Sequence, residues 1–158
     1  MKRTNFLIKL NKKGIIDIVK PSDEISQSYI MKSESNLISA KILLANERLE
    51  ESVGLAYYSM YHSLTALLFK IGIKSENHNA SIILLKELVG LSNNDILNAK
   101  KERVDKQYYV NFMITKEAVN DTIKQAERFN SHIVDFISKI NNEDINTYRK
   151  KFIKLIKE

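Results

Sequence analysis

From Glu50 to Ile71 the chain offers water almost no continuous face. At about 100° per residue, Val53, Ala56, Tyr57, Met60, Leu64, Leu67 and Ile71 fall on one side of a helix. Leu55, Tyr58, His62, Ala66 and Phe69 fall on the other. Ser52, Ser59, Ser63 and Lys70 make the one polar strip, and it is narrow. A helix apolar nearly all round is buried nearly all round. One face packs within a bundle; the other needs more of the same chain or a second subunit.

The remaining segments supply such packing. Four Gly and one Pro in 158 residues leave few breaks, and those fall between periodic stretches. The opening "NFLIKLNKKGIIDIVKP" reads two ways: a minor hairpin around "NKKG", or a short helix with an extended lead-in. After Pro21, Ser22 or Asp23 caps a helix that runs to about Asn46, with Ile30, Ser33, Leu37, Ala40 and Leu44 on one stripe. Shorter helices follow over about 79–89, stopped by Gly90, and over about 94–108. In the second of these, Ile96, Ala99 and Arg103 share one side and Leu97, Val104 and Tyr108 another. Thr115 caps a long helix to about Ile140, with Val119, Ile123, Ala126, Phe129, Ile133, Phe136, Ile137 and Ile140 inward. After "NNED" comes a basic amphipathic helix in which Ile145, Tyr148, Phe152 and Ile156 oppose Lys150, Lys151, Lys154 and Lys157. The fold class is therefore all-α: an antiparallel up-down bundle of four to five main helices. Residues 1–21 form its lead-in, 22–140 the bundle, and 143–158 a basic helix packed on it.

Composition narrows the chemistry. A chain without cysteine has no disulfide, no thiolate nucleophile and no cysteine-bound zinc, and it suits a reducing cytoplasm. No run of about 18 or more apolar residues exists to span a membrane, and Lys9 and Asn11 interrupt what would be a leader's apolar core. The expected location is cytoplasmic. The net charge of +6 is uneven: residues 1–20 carry +5, residues 147–158 carry +4, and the body between them −3. Such a body advertises no basic face of its own for nucleic acid, although the two ends are basic.

The three histidines, at 62, 78 and 132, form no pair one helical turn apart, and no glycine-rich phosphate loop is present. Neither a metal nor a cofactor is expected. His62, on the Tyr58–Phe69 stripe, reads as a core or interface histidine hydrogen-bonded to a neighbour. His78 opens a helix after a polar loop and reads as a cap or as solvated. His132 falls on a wet face beside Gln125 and Arg128. Arg103 stands apart, because its stripe carries the guanidinium partly inward, where it wants a carboxylate, a carbonyl or a phosphate. The bland alternative is a salt bridge with Asp105 or with an acid on another helix.

The stretches "SYIMKSESNLISAKILL", "ESVGLAYYSMYHSLTALLFKIGIKSENHNASIILLKEL", "KERVDKQYY" and "TKEAVNDTIKQAERFNSHI" together resemble the HEPN domain, over roughly residues 22–140. The lead-in "LIKLNKKGIIDIVKPSDE" is similar to that of small stand-alone prokaryotic members. The resemblance implies a helical bundle, usually a homodimer. It also implies a frequent nucleotidyltransferase partner in toxin–antitoxin pairs, and in some members metal-independent ribonuclease activity. The ribonuclease motif of the family is an Arg, four to six residues, then a His. Arg103 matches its first position, but Tyr108, Tyr109 and Val110 occupy the places for His. Without that imidazole, no side chain of the motif is tuned to move a proton near neutral pH.

The reading is thus a binding module, dimeric through Leu55, Tyr58, His62 and Phe69 or surface beside them. Its partner is a nucleotidyltransferase, a nucleotide or RNA, held at Arg103, Tyr108 and Tyr109 with Lys106 or His78 alongside. The rivals are a divergent ribonuclease using Arg103, with His78 or a tyrosine for the missing His, and a purely structural interaction protein.

Overall fold

A computed structural model describes residues 2–108 and 113–157, with side chains described for 3–103 and 113–157. The order is α1 (Lys2–Lys12), β1 (Ile16–Ile18), α2 (Asp23–Ala45), α3 (Leu49–Ile71), β2 (Ile73–Ser75), α4 (His78–Leu84), α5 (Asn94–Tyr108), α6 (Lys116–Lys139) and α7 (Asn142–Lys157). The fold is all-α. No helix among the described residues is long and apolar enough to cross a membrane.

Local chemistry sets the helix ends. Ser22 Oγ accepts from the amide of Ile25 at 3.1 Å and starts α2. Thr115 Oγ1 accepts from Ala118 and starts α6. Both satisfy amides that a helix N-terminus otherwise leaves orphaned. Gly72 stops α3 in the left-handed region (φ 77°), and Gly90 ends the stretch after α4, whose last turn widens into a π-helical turn at Leu85–Val89.

Helices α2, α3, α5 and α6 alternate in direction and form the bundle. Ser52 at the start of α3 bonds Ala40 near the end of α2, Lys41 of α2 pairs with Glu127 of α6, and Asp95 of α5 pairs with Arg128 of α6. Helix α3 is the axis, with α2, α5 and α6 packed around it. Its predicted inner face (Val53, Ala56, Tyr57, Met60, Leu64, Leu67 and Ile71) is buried throughout, as are Val119, Ile123, Ala126, Phe129 and Ile133 of α6. Each large aliphatic side chain so buried contributes ~1.5–3 kcal/mol before entropy is counted.

Two features go beyond the sequence reading. Of the two readings of the first segment, the short helix with an extended lead-in is the one found. The extended part pairs antiparallel with the residues just after α3: Ile16 with Ser75, Asp17 with Lys74, Ile18 with Ile73. No local turn could announce a partner so far along the chain. The serine strip of α3, the natural candidate for a wet face, is buried instead. Ser52 Oγ donates to Ala40 O (2.7 Å), Ser33 Oγ to Ser59 O (2.6 Å) and Ser63 Oγ to Asn130 Oδ1 (2.8 Å). Small side chains let α2 and α6 approach closely, and each hydroxyl is satisfied by a carbonyl or amide oxygen.

The last helix lies against α1 and the end of α3. Phe152 is fully buried, and Arg149 Nη1 donates to Val19 O (2.6 Å) and Gly72 O (2.8 Å).

Candidate functional site

Within little more than one turn, α3 carries Tyr57, Tyr58, Tyr61 and His62. Tyr57 faces inward and is wholly buried, while the other three are half-buried. The β2 strand then returns the chain beside this face. Asn77 caps α4 by accepting from the amide of Ala80, and His78 is thereby fixed at the first helical position. Its ring stacks on Tyr61 with centroids 3.7 Å apart, and its Nδ1 lies 2.7 Å from the Tyr57 hydroxyl. His78 is thus neither the cap nor a solvated side chain. It is part of an aromatic cluster.

From α5 comes Arg103. Its Nη2 donates to the Tyr58 hydroxyl at 3.2 Å, and its Cζ lies 4.9 Å and 5.4 Å from the ring centroids of Tyr58 and Tyr57. The partly inward guanidinium expected from the α5 stripe is therefore held by tyrosines. Lys100, one turn earlier, bonds the side-chain oxygen of Asn79. Arg103 and His78, 25 residues apart in the chain, share Tyr57 and Tyr58. The side chains of Lys106, Tyr108 and Tyr109, which also belong to the site expected from sequence, and of Asp105, the salt-bridge partner considered for Arg103, lie outside the described residues.

Burial sets the protonation states. The Tyr57 hydroxyl is pushed well above the phenol range by desolvation, so it keeps its proton. A protonated phenol donates to Nδ1 or accepts from Nδ1–H with equal ease, so this hydrogen bond fixes the orientation of the His78 ring and not its tautomer. Burial also lowers the His78 pKa, helped by Arg103 and Lys100. His62 accepts from Asn36 Nδ2 at Nδ1 (2.8 Å) and is pushed down to about 4 by burial, then by Lys32 and His78. The charges that both imidazoles feel are cationic. The cluster therefore offers a guanidinium fork, ring faces and neutral imidazoles in a positive local field, a combination suited to a phosphate bearing a flat base.

The stripe expected at a dimer interface is in part covered from within. Tyr29 of α2 stacks on Phe69 (5.6 Å, 6°), and Asn36 bonds His62. Leu55, Tyr58, His62 and Phe69 are all half-buried. Large apolar groups are exposed on α2 as well, Met31 (62%), Ile38 (60%) and Ile42 (57%), on the side of that helix turned away from Tyr29 and Asn36. His132 is exposed on α6, and its neighbour Arg128 is paired with Asp95.

Sequence reasoning missed Tyr57, Tyr61 and Lys100. Tyr57 counted as an apolar face residue, although its hydroxyl orients His78. Lys100 precedes Arg103 by three positions, a spacing that puts two cations on one face of α5 and was legible.

The depressed imidazoles carry a pH consequence. A folded chain whose histidines resist protonation binds fewer protons than the unfolded chain, so stability rises with pH through that window. The urea midpoint is expected to fall as pH drops from about 6.5 towards about 4. His62→Gln is expected to flatten the slope, and an imidazole NMR titration of His62 with a midpoint near 6.5 would contradict the burial described.

The family model for the HEPN domain matches residues 26–137. A candidate toxin of Methanocaldococcus jannaschii is 31% identical over 124 residues, covering 74% of this chain and 89% of that protein. A UPF0332 protein of Pyrococcus horikoshii is 41% identical over 56 residues, 35% of this chain and 39% of its own length.

Proposed function

Because the chain belongs to the HEPN domain family, we propose that it is a binding module of a toxin–antitoxin-like pair, which holds nucleotide or single-stranded RNA at Arg103 without cutting it. The observation that carries this is the convergence of Arg103, His78, Tyr58 and Tyr61 on one half-buried, positively charged patch. The toxin-like context rests on the Methanocaldococcus relative. The partner of such a pair is a nucleotidyltransferase, as in many members of the family. Binding without cleavage is favoured by the departure from the family's ribonuclease motif, in which Tyr108, Tyr109 and Val110 stand where its His would fall.

One observation favours a second reading. The imidazole absent from positions 108–110 is present in space, because His78 reaches the Arg103 cluster from α4. In that case Arg103 steadies phosphate charge and His78 moves the proton. Incubating the purified chain with labelled single-stranded RNA in EDTA separates the two. Retention of intact RNA is the expected result. Robust cutting that His78→Ala abolishes would establish the nuclease reading, and neither binding nor cutting would remove both.

The chain is also proposed to pair with itself, through the exposed apolar row of α2. Met31, Ile38 and Ile42 are large, exposed and carried by one helix, and apolar groups gathered in this way mark interfaces. Sedimentation at micromolar concentration is expected to give twice the chain mass, and Ile38→Glu with Ile42→Glu to return it to the monomer mass. A wild-type monomer would remove the α2 row as a self-association surface.

A further inference from the structure

A second cleft adjoins the Arg103 cluster. It has a volume of about 280 Å³ and is lined by Tyr29, Lys32, Tyr61, His62, Phe69 and Lys74, among others. We propose that this cleft takes a nucleobase and its attached phosphate, as a nucleotide subsite next to the one at Arg103. The proposal rests on the binding reading above and extends it from one nucleotide to two.

Three observations support it. The walls are ring faces: Tyr29 and Phe69 are parallel, with centroids 5.6 Å apart, and His62 lies 5.9 Å from both Tyr29 and Tyr61. Flat aromatic walls accept any base, because every base has a π-face. The charged lining is Lys32, Lys74 and Glu76, a net charge of one cation. Lys32 is exposed and makes no ion pair among the described residues, while Lys74 has an exposed partner in Glu76 at 3.0 Å. The size fits one base with its sugar, lying just under the ~300–1,000 Å³ usual for small-molecule sites.

The two sites are also continuous. Tyr61 lines the cleft and stacks on His78 as well. Tyr58 bridges in the same way, 6.1 Å from the His62 ring and hydrogen-bonded to Arg103. A strand whose phosphate sits on Arg103 thus finds its next base position across these two tyrosines. His62 adds a specific polar contact. With Asn36 donating to Nδ1, its ring proton is on Nε2, a donor for a base oxygen or nitrogen. An apolar ligand would leave the lysines and that donor unused, which argues for a base with its phosphate over a lipid or an aliphatic chain.

The test uses the full chain, 2-aminopurine riboside monophosphate, and an eight-nucleotide RNA carrying one 2-aminopurine. Stacking quenches the fluorescence of this base. The expected result is quenching on binding, with Tyr29→Ala weakening affinity about tenfold or more, in line with the worth of base stacking, and Lys32→Ala weakening it at low salt and reducing its salt dependence by about one unit of slope. Lys32 is at the surface, so its variant keeps the comparison valid even if Tyr29→Ala lowers stability. Pocket-dependent binding of the octamer alone identifies an RNA strand as the ligand; equal dependence with the monophosphate identifies a free nucleotide. If Arg103→Ala abolishes binding while Tyr29→Ala and Lys32→Ala bind as wild type, the second subsite is wrong and the Arg103 site stands. If neither probe binds the wild-type chain, both fall.

Discussion

Arg103→Ala is expected to weaken binding of short single-stranded RNA by about tenfold to a hundredfold at low salt, because a hydrogen bond to a charged group is worth ~1.5–3 kcal/mol. The guanidinium enters the cluster with its planar fork already oriented by Tyr58, so little side-chain freedom remains to be lost when a phosphate arrives. Arg103→Lys keeps the charge and loses the fork. It is expected to recover only part of the affinity, which would separate geometry from simple attraction. Loss of one phosphate contact also reduces the salt dependence, by about one unit in the slope of log affinity against log salt. Arg103 also lies over the rings of Tyr57 and Tyr58 within the chain itself. Its removal therefore takes away a cation–π contribution of ~0.5–2 kcal/mol to stability. Circular dichroism and a melting curve on the variant keep the two effects apart. An unchanged affinity in a folded Arg103→Ala variant would remove the assignment of the site.

Much of the fold was legible because its signals are local. Ser22 and Thr115 cap helices that begin at the next residue, and Gly72 ends the helix whose last buried residue is Ile71. Such signals depend on a few neighbouring residues and survive whatever the rest of the chain does. Features that depend on distant residues were not legible in the same way. The strand Ile16–Ile18 exists only because Ile73–Ser75 comes beside it. A helical wheel shows that Ser52, Ser59 and Ser63 share a face, but not that α2 and α6 cover that face and take up its hydroxyls.

The candidate site divides along the same line. Arg103 could be singled out from its place on the α5 stripe, since a charged residue in an apolar row is conspicuous within one helix. The partner histidine was sought five to seven positions later, where a motif along a single helix would place it, and those positions hold tyrosines and valine. His78 arrives from another helix, positioned by the Asn77 cap and the stack on Tyr61. No spacing rule within α5 contains that information. Tyr57 shows a third kind of difficulty. Its ring belongs to the core and its hydroxyl to the site, and hydrophobic patterning registers only the first.

The largest effect on stability is expected at Gly72. Helix α3 must stop there and hand the chain to β2, and it does so with φ at 77°. An L-residue in that left-handed conformation costs ~1–2 kcal/mol in any surroundings. At Gly72 the surroundings add more. A Cβ would lie 2.6 Å from the carbonyl oxygen of Val19 and 2.9 Å from Pro21, and would overlap the Arg149 guanidinium. That guanidinium is itself fixed, because Nη1 bonds Val19 O and Gly72 O and so ties α7 to the end of α3. Backbone cannot yield as a flexible side chain can, so Gly72→Ala either displaces the lead-in strand or breaks the Arg149 bonds. We expect a loss of roughly 3 kcal/mol or more, equivalent to a melting temperature lower by about 6–12 °C for a chain of this size. Gly90 provides the control, with φ at 80° and nothing within 4 Å of the place a Cβ would take. Gly90→Ala carries the conformational strain alone and is expected to cost ~1–2 kcal/mol. In a double-mutant cycle, Arg149→Ala is expected to make Gly72→Ala less costly without making it neutral, since the clash with Val19 O remains. Equal losses at Gly72 and Gly90 would show that the junction of α3, β1 and α7 is looser than the contacts at Gly72 require.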